Sequence, residues 1–448
     1  MSLPQATEDR LVKKLVKLAW PITVSEIAGT LGPTLDMVWI GRLGTAALAG
    51  VGLGSAALAV VMNTMVGVSM GLRAMVARHV GTGDRKTAAH VTLHAFALTV
   101  GFSLLVALLS LFFADDIIRL LGLKDAAAAE GTIYLRISFF GVAAYSLRLM
   151  GETALQASGD TVTPMKLSLL HRSVHALLAP ALAFGWLGLP RLGVAGVVTA
   201  NVVTQGLSFC LAVWVMWSGR TGLRLSLSGF RFAPAVAWRL IRVGIPASVT
   251  FVQNDLGGML IMVLLARFGE VAVAAFVISR RLEMMLAMPG SGLGNAAGII
   301  AGQSLGAGQP QRAIRTGWTA VGITISVMAV FALVVLLGAE PIARLFNSDP
   351  ELVATATTFL RISTVGYVAL GALLILMLVL IATGDTLPPM LILSASLWLG
   401  AVLPVFLLTQ FTSIGIIGVR WVLVTPAVMT ALGLALYYRS GRWTRRKV

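Results

Sequence analysis

Apolar residues run along the chain in blocks of about 20, the length that carries an α-helix across a hydrocarbon layer, and short polar clusters separate them. Read as helices, the blocks predict twelve spans. Six lie at 15–41, 46–72, 88–113, 131–157, 165–188 and 193–217. Six more lie at 239–266, 271–300, 313–338, 356–382, 388–410 and 414–438. The connections are too short to hold a soluble catalytic domain, so function is expected between the helices. The expected fold class is an all-α polytopic membrane protein.

Set against itself, the chain repeats. Pro21 in WPITVSEIAG falls on Pro246 in IPASVTFVQN, and this offset in the numbering is kept by motif after motif. It lays Arg42-Leu43-Gly44 on Arg267-Phe268-Gly269, VGTGD (80–84) on LGAGQ (305–309) and YLRIS (134–138) on FLRIS (359–363). It also lays SGDTVTPM (158–165) on TGDTLPPM (383–390), and it slips only where GVAG (193–196) meets GIIG (415–418). Two homologous six-helix halves follow. An even number of spans returns the chain to its starting side, so the halves are expected as parallel repeats about an axis along the membrane normal. The expected division is 1–217, a cytoplasmic linker at 218–238 rich in Gly, Ser and Arg, and 239–448.

Composition agrees: 57% of residues are hydrophobic and 12% charged. The net charge of +16 could point to nucleic acid, but its placement argues otherwise. Roughly 21 Lys and Arg fall on one set of loops and termini against about 6 on the other, the positive-inside asymmetry. Both termini are therefore expected in the cytoplasm, with the bilayer as partner and no nucleic acid. Arg10, Lys13, Lys14 and Lys17 lead into a helix too long for a cleaved signal. The single cysteine, Cys210, excludes an internal disulfide and is expected as a small core residue.

The candidate chemistry lies in charges inside spans, where a carboxylate costs several kcal/mol and marks a functional site by default. Asp36, in GTLGPTLDMVWIGRLG, has no Lys or Arg one helical turn away. Desolvation without a cation favours the protonated form, so Asp36 is the first candidate for proton coupling. Asp255 in FVQNDLGG and Glu26 are likewise unpaired along their helices. Glu152 has Arg148 one turn earlier and Glu283 has Arg280 three residues back, spacings at which charges neutralise each other; Glu283 is also a candidate to face a cavity and attract cations. Pro21 and Pro33 each remove a backbone hydrogen bond, giving either a hinge or a fixed kink. His171 and His175 share one helical face, but no third ligand accompanies them, so no metal and no cofactor is expected. His175 is read as a titrating partner of Asp36, a cavity-lining group or a structural histidine. Tyr145, Gln156, Asn201, Gln205, Met284, Met285 and Met288 are candidates for substrate contact, the methionines because they repack easily.

The ordered set of motifs (the early helix with Pro21, Asp36 and GRLGTAALAG, the loops ARHVGTGD and AGQSLGAGQPQRA, and the pair SGDTVTPM and TGDTLPPM) resembles the multidrug and toxic compound extrusion (MATE) family. RRLEMMLAMPGSGLGNAAG (280–298) looks more like its DinF-like branch than its NorM-like one. The resemblance implies two six-helix bundles with a cavity at their interface. It implies export of organic, often cationic and amphipathic compounds against inward H⁺ or Na⁺, by a monomer in the inner (plasma) membrane. Asp36 falls where the family has an acid of its cation site, and Pro21 where a hinge proline is placed. Some relatives carry an Asn and an Asp four residues apart on the fifth helix; RSVHALLAPALAF has His175 and Ala179 there, which tilts the expected ion toward H⁺. NorM-like relatives have a functional acid on the seventh helix, whose nearest match here is Asn254, beside Asp255. A flippase of lipid-linked substrates is the alternative within the same superfamily. An intramembrane enzyme finds no clustered catalytic set, and a two-half nutrient carrier finds no matching basic loop signature.

Overall fold

A computed structural model describes residues 3–411 and 414–446; the expected basic tail thus ends, at Lys447, outside the described residues. These residues form twelve long helices and no strand. The first six are α1 (Leu3–Gly41), α2 (Thr45–Gly81), α3 (Arg85–Leu120), α4 (Asp125–Ala157), α5 (Val162–Phe184) and α6 (Val194–Trp217). After a non-helical linker come α7 (Pro234–Leu265), α8 (Glu270–Gly306), α9 (Pro310–Phe346) and α10 (Pro350–Ala382). The last two are α11 (Leu387–Phe411) and α12 (Ile416–Arg439). In α11 the chain winds as a π-helix over Trp398–Val402. Ten of the twelve are apolar enough to cross a membrane by length and composition, and the remaining two are α1 and α8. Those two carry the charges Glu26, Asp36, Arg280, Arg281 and Glu283 along their length. The chain is a multi-pass membrane protein.

The turns explain the repeat. Gly44 and Gly269, Gly83 and Gly308, and Gly159 and Gly384 all have positive φ. Each pair stands at the offset that separates Pro21 from Pro246. A side chain at these corners would be strained, so the motifs persist because the helix-to-helix turns demand them. The shared aspartate of the last pair is used in two ways. Asp160 accepts hydrogen bonds from the Thr163 backbone N–H (3.0 Å) and hydroxyl (2.6 Å), capping α5. Asp385 instead accepts from the Tyr437 hydroxyl and pairs with Arg446 Nε at 3.1 Å.

Contacts divide the chain inside helices rather than between them. One lobe is Val24–Ser248; the other is Met1–Thr23 with Val249–Val448. We refer to them as the N-lobe and the C-lobe. The N-lobe thus takes in the first turns of α7. Cβ atoms at Gly67 and Gly71 of α2 would strike the backbone of Ser248 and Leu240, and Ser248 Oγ donates to the Thr64 carbonyl at 2.8 Å. The linker is docked on the same lobe: Leu223 and Leu225 are buried, Phe230 and Phe232 lie against the His94 ring, and Ala233 N–H donates to His94 Nε2 at 2.8 Å. In the C-lobe, Thr23 of α1 packs against Gly292 of α8.

One expectation is corrected here. Cys210 is exposed on α6 rather than buried. In a bilayer the outer face of a helix is as apolar as its inner face, so an apolar neighbourhood in sequence does not imply a core position.

Candidate functional site

Asp36 lies on the wall of a cavity of about 280 Å³ inside the N-lobe, lined also by Pro33, Tyr134, Tyr145, Arg172, Asn201 and Gln205. Its side chain is largely buried, 16% exposed. His175 Nε2 stands 3.6 Å from its Oδ1, and the Arg172 guanidinium acts on it electrostatically from the same wall. Asp36 is unpaired only along its own helix; α5 brings it two basic partners.

Local sequence explains how Arg172 comes so near. Pro33 has no N–H to offer the carbonyl four residues earlier, which is that of Gly29. Arg172 Nη2 donates to this freed carbonyl at 3.2 Å. Gly32 leaves the space: a Cβ there would run into the guanidinium. The second proline of α1 thus produces a binding place for a cation one turn before the acid. Pro21 is buried in the same continuous helix.

The histidines stack, with ring centroids 6.1 Å apart and planes inclined by 17°. His171 is 3% exposed, with the Thr204 backbone beside its ring. Among those residues no group of three or more His, Cys, Asp or Glu could hold a metal ion. Asn201 and Gln205, both predicted for the cavity, line it, and Gln205 Nε2 donates to Asn201 Oδ1 at 2.7 Å. Gln156 is not on that wall; it accepts from Arg73 Nη2 at 3.1 Å. Arg73 is buried in α2 and feels the charge of Glu26, so Glu26 also has a basic neighbour that its own helix does not show. The expected pairing of Arg148 with Glu152 is present at 2.7 Å, both residues buried.

A second cavity, about 200 Å³, lies inside the C-lobe, lined among others by Asn254, Arg280, Glu283, Ser363, Tyr367 and Arg420. Glu283 does not pair with Arg280, as sequence spacing suggested. Its carboxylate accepts from Arg420 Nη2 of α12, which also reaches the Ser363 hydroxyl. Arg420 is 3% exposed, and it, not the arginine on the acid's own helix, takes the carboxylate. Asp255 is exposed and lies off this wall, whereas its neighbour Asn254 lines it. Met284 and Met285 are more than half exposed, and Met288 is half-buried.

The two cavities occupy equivalent places in the repeat. Asp36 corresponds to Ile261, Ser55 to Arg280, Leu58 to Glu283, Ser138 to Ser363 and Arg172 to Leu397, all at the offset of the repeat, and all ten line their own cavity. Past the slip, in the register that lays GVAG on GIIG, Val198 corresponds to Arg420. Sequence reasoning singled out neither Arg172, Arg420 nor Tyr367. The signal existed, since an arginine in an apolar helix is as costly as an acid, but apart from His175 for Asp36 partners were sought only along each helix.

Two lobes of six helices, each holding a cavity whose charges sit on membrane helices, define the fold of a secondary transporter. The family model described as MatE matches residues 21–181 and again 246–406, and the chain belongs to this family, the MATE transporters. The two matches begin at Pro21 and at Pro246 and run for the same length, so they follow the repeat. A probable multidrug resistance protein NorM of Thermotoga maritima is 24% identical over 451 residues, covering 100% of this chain and 96% of that protein. A Shewanella oneidensis protein named an FAD transporter is 27% identical, covering 91% of this chain and 89% of its own length. Among solved structures, the Vibrio cholerae MATE transporter VcmN in the bent form matches with a TM-score of 0.89 at 21% identity, covering 97% of this chain and 98% of that one. A MOP superfamily transporter from Pyrococcus furiosus, described as having a binding pocket of reversed polarity, matches with a TM-score of 0.89 at 20% identity over 97% of both chains.

Proposed function

We propose that this protein is a secondary exporter of organic, amphipathic compounds, driven by inward H⁺, with Asp36 as the coupling acid. The observation that carries the reading is Asp36 itself, a membrane carboxylate on a cavity wall with His175 Nε2 at 3.6 Å. Bringing a proton into such a site removes a buried charge and changes the pull on Arg172 and His175, which gives protonation a differential effect on α1 and α5. The histidine and arginine supply no hard oxygen ligands, which favours H⁺ over Na⁺. The Lys and Arg asymmetry supports a cell membrane location with both termini in the cytoplasm.

The test is dye efflux from reconstituted vesicles under separate H⁺ and Na⁺ gradients, comparing the wild type with Asp36→Asn. Efflux that follows H⁺ and falls by roughly tenfold or more in the folded variant supports the reading. Efflux that is unchanged in Asp36→Asn, or that follows Na⁺ alone, rejects it. A second reading, export of an anionic flavin nucleotide, is favoured by the buried arginines together with the relative named an FAD transporter; FAD loaded into the same vesicles tests it.

A further inference from the structure

The C-lobe cavity carries more positive than negative charge. Its lining holds two guanidiniums, Arg280 and Arg420, and one carboxylate, Glu283. Arg420 and Glu283 are engaged with each other. Arg280 is half-buried beside Gly258 and has no carboxylate within ion-pair distance among the described residues. Two further donors face the cavity: the Tyr367 hydroxyl, on a residue 1% exposed with the Ser363 hydroxyl beside it, and Arg420 Nε, buried without a hydrogen-bond partner among the described residues. Burying donors unsatisfied costs free energy, and an anion repays the most because each bond to it is charge-assisted. The equivalent N-lobe cavity has no such excess, since its one carboxylate, Asp36, offsets its one guanidinium, Arg172.

Size narrows the ligand. At about 200 Å³ the cavity is smaller than the 300–1,000 Å³ or so of sites that enclose a whole drug-sized molecule. It fits an anionic group with the carbon skeleton next to it.

We propose that the C-lobe cavity binds the anionic group of an amphipathic substrate, a carboxylate or a phosphate, with Arg280 as its counter-charge and Tyr367 and Arg420 as further donors. This rests on the exporter reading and narrows its substrates to zwitterions and anions. Glu283 is held by Arg420 and serves as a counter-charge inside the wall.

The experiment is equilibrium binding to the purified full-length protein in nonionic detergent, without any gradient, using two matched dye pairs. Rhodamine B against its ethyl ester tests a carboxylate; flavin mononucleotide against riboflavin tests a phosphate. The expected result is roughly tenfold or more tighter binding of the anionic member of at least one pair. Arg280→Gln abolishes that preference while leaving the neutral or esterified member's affinity in place, and Tyr367→Phe reduces it. Preference in the rhodamine pair alone assigns a carboxylate, and in the flavin pair alone a phosphate. No preference in either pair overturns the proposal, as does a preference that survives in folded Arg280→Gln; should that variant not fold, an undiminished preference in Tyr367→Phe overturns it. Because no transport step enters, a negative result here leaves the exporter reading standing. Efflux that ignores both gradients would reject that reading without touching this one.

Discussion

The two lobes share one scaffold and differ in where it carries charge. In the N-lobe cavity the acid comes from the first helix of the repeat and the guanidinium from the fifth, as Asp36 and Arg172. In the C-lobe these positions are Ile261 and Leu397, and charge has moved to the second and last helices, as Arg280, Glu283 and Arg420. The contact of a glycine with the side chain opposite is retained. A Cβ at Gly32 would meet Arg172, and a Cβ at Gly257, its counterpart in the repeat, would meet Leu397. Close helix packing in membranes depends on small residues at the crossing, so the glycine is fixed by the fold while its neighbour is free to be an arginine or a leucine. Duplication thus preserves a place and leaves its chemistry to diverge.

Breaking the buried ion pairs tests this with the largest effect. Arg148→Met strands Glu152 in the N-lobe interior and is expected to cost about 3–5 kcal/mol, read as earlier thermal unfolding of the purified protein. Arg420→Met should cost less, because the Glu283 side chain keeps 28% of its surface exposed. Equal losses would mean that the two lobes do not differ in how deeply they bury charge. The paired turn motifs come next. Asp385→Ala removes two tethers, to Tyr437 and Arg446, and is expected to cost about 2 kcal/mol. Asp160→Ala removes a helix cap and should cost about 1 kcal/mol. Arg172→Leu converts the N-lobe crossing to the C-lobe type. It should unfold at nearly the wild-type temperature, losing about 1 kcal/mol for the Gly29 carbonyl, while H⁺-driven efflux falls. Efflux that survives would show that the guanidinium is dispensable beside Asp36.

The smallest difference lies at the start of the third helix of each repeat. The Thr87 hydroxyl and backbone N–H hold the Asp84 carboxyl below its usual range, and its counterpart is the neutral Gln309. A carboxyl depressed on folding stabilises the native state above its unfolded pKa, and that stability is lost as pH falls through the folded value. Protection from hydrogen exchange at the start of α3, corrected for the intrinsic pH dependence of amide exchange, should therefore fall as pH drops below the ordinary aspartate range, while protection at the start of α9 stays constant; Asp84→Asn should remove the contrast.

Much of this was legible in the sequence because membrane helices obey few rules. Backbone groups must be satisfied internally, so an apolar block of spanning length is a helix. The duplicated turns require glycine at the same corners. The N-lobe site was legible as far as Asp36, since a carboxylate in a span is visible without a structure. Asn201 and Gln205 were found for the same reason, as polar residues in apolar helices. Gln156 met the same criterion and is instead held by Arg73. The linker read as a crossover rich in Gly, Ser and Arg; its docking on His94 through Phe230, Phe232 and Ala233 was not legible.

The sequence by itself determined the helices, the twofold repeat and the presence of costly charges inside the membrane, because length, hydropathy and glycine turns are properties of contiguous residues. Only the tertiary structure decided the partners: Arg172 for Asp36, beside the His175 that the sequence already offered, Arg420 rather than Arg280 for Glu283, Arg73 for Gln156. An ion pair needs two atoms within a few ångströms, and residues 36 and 172, or 283 and 420, reach that distance only once different helices have packed.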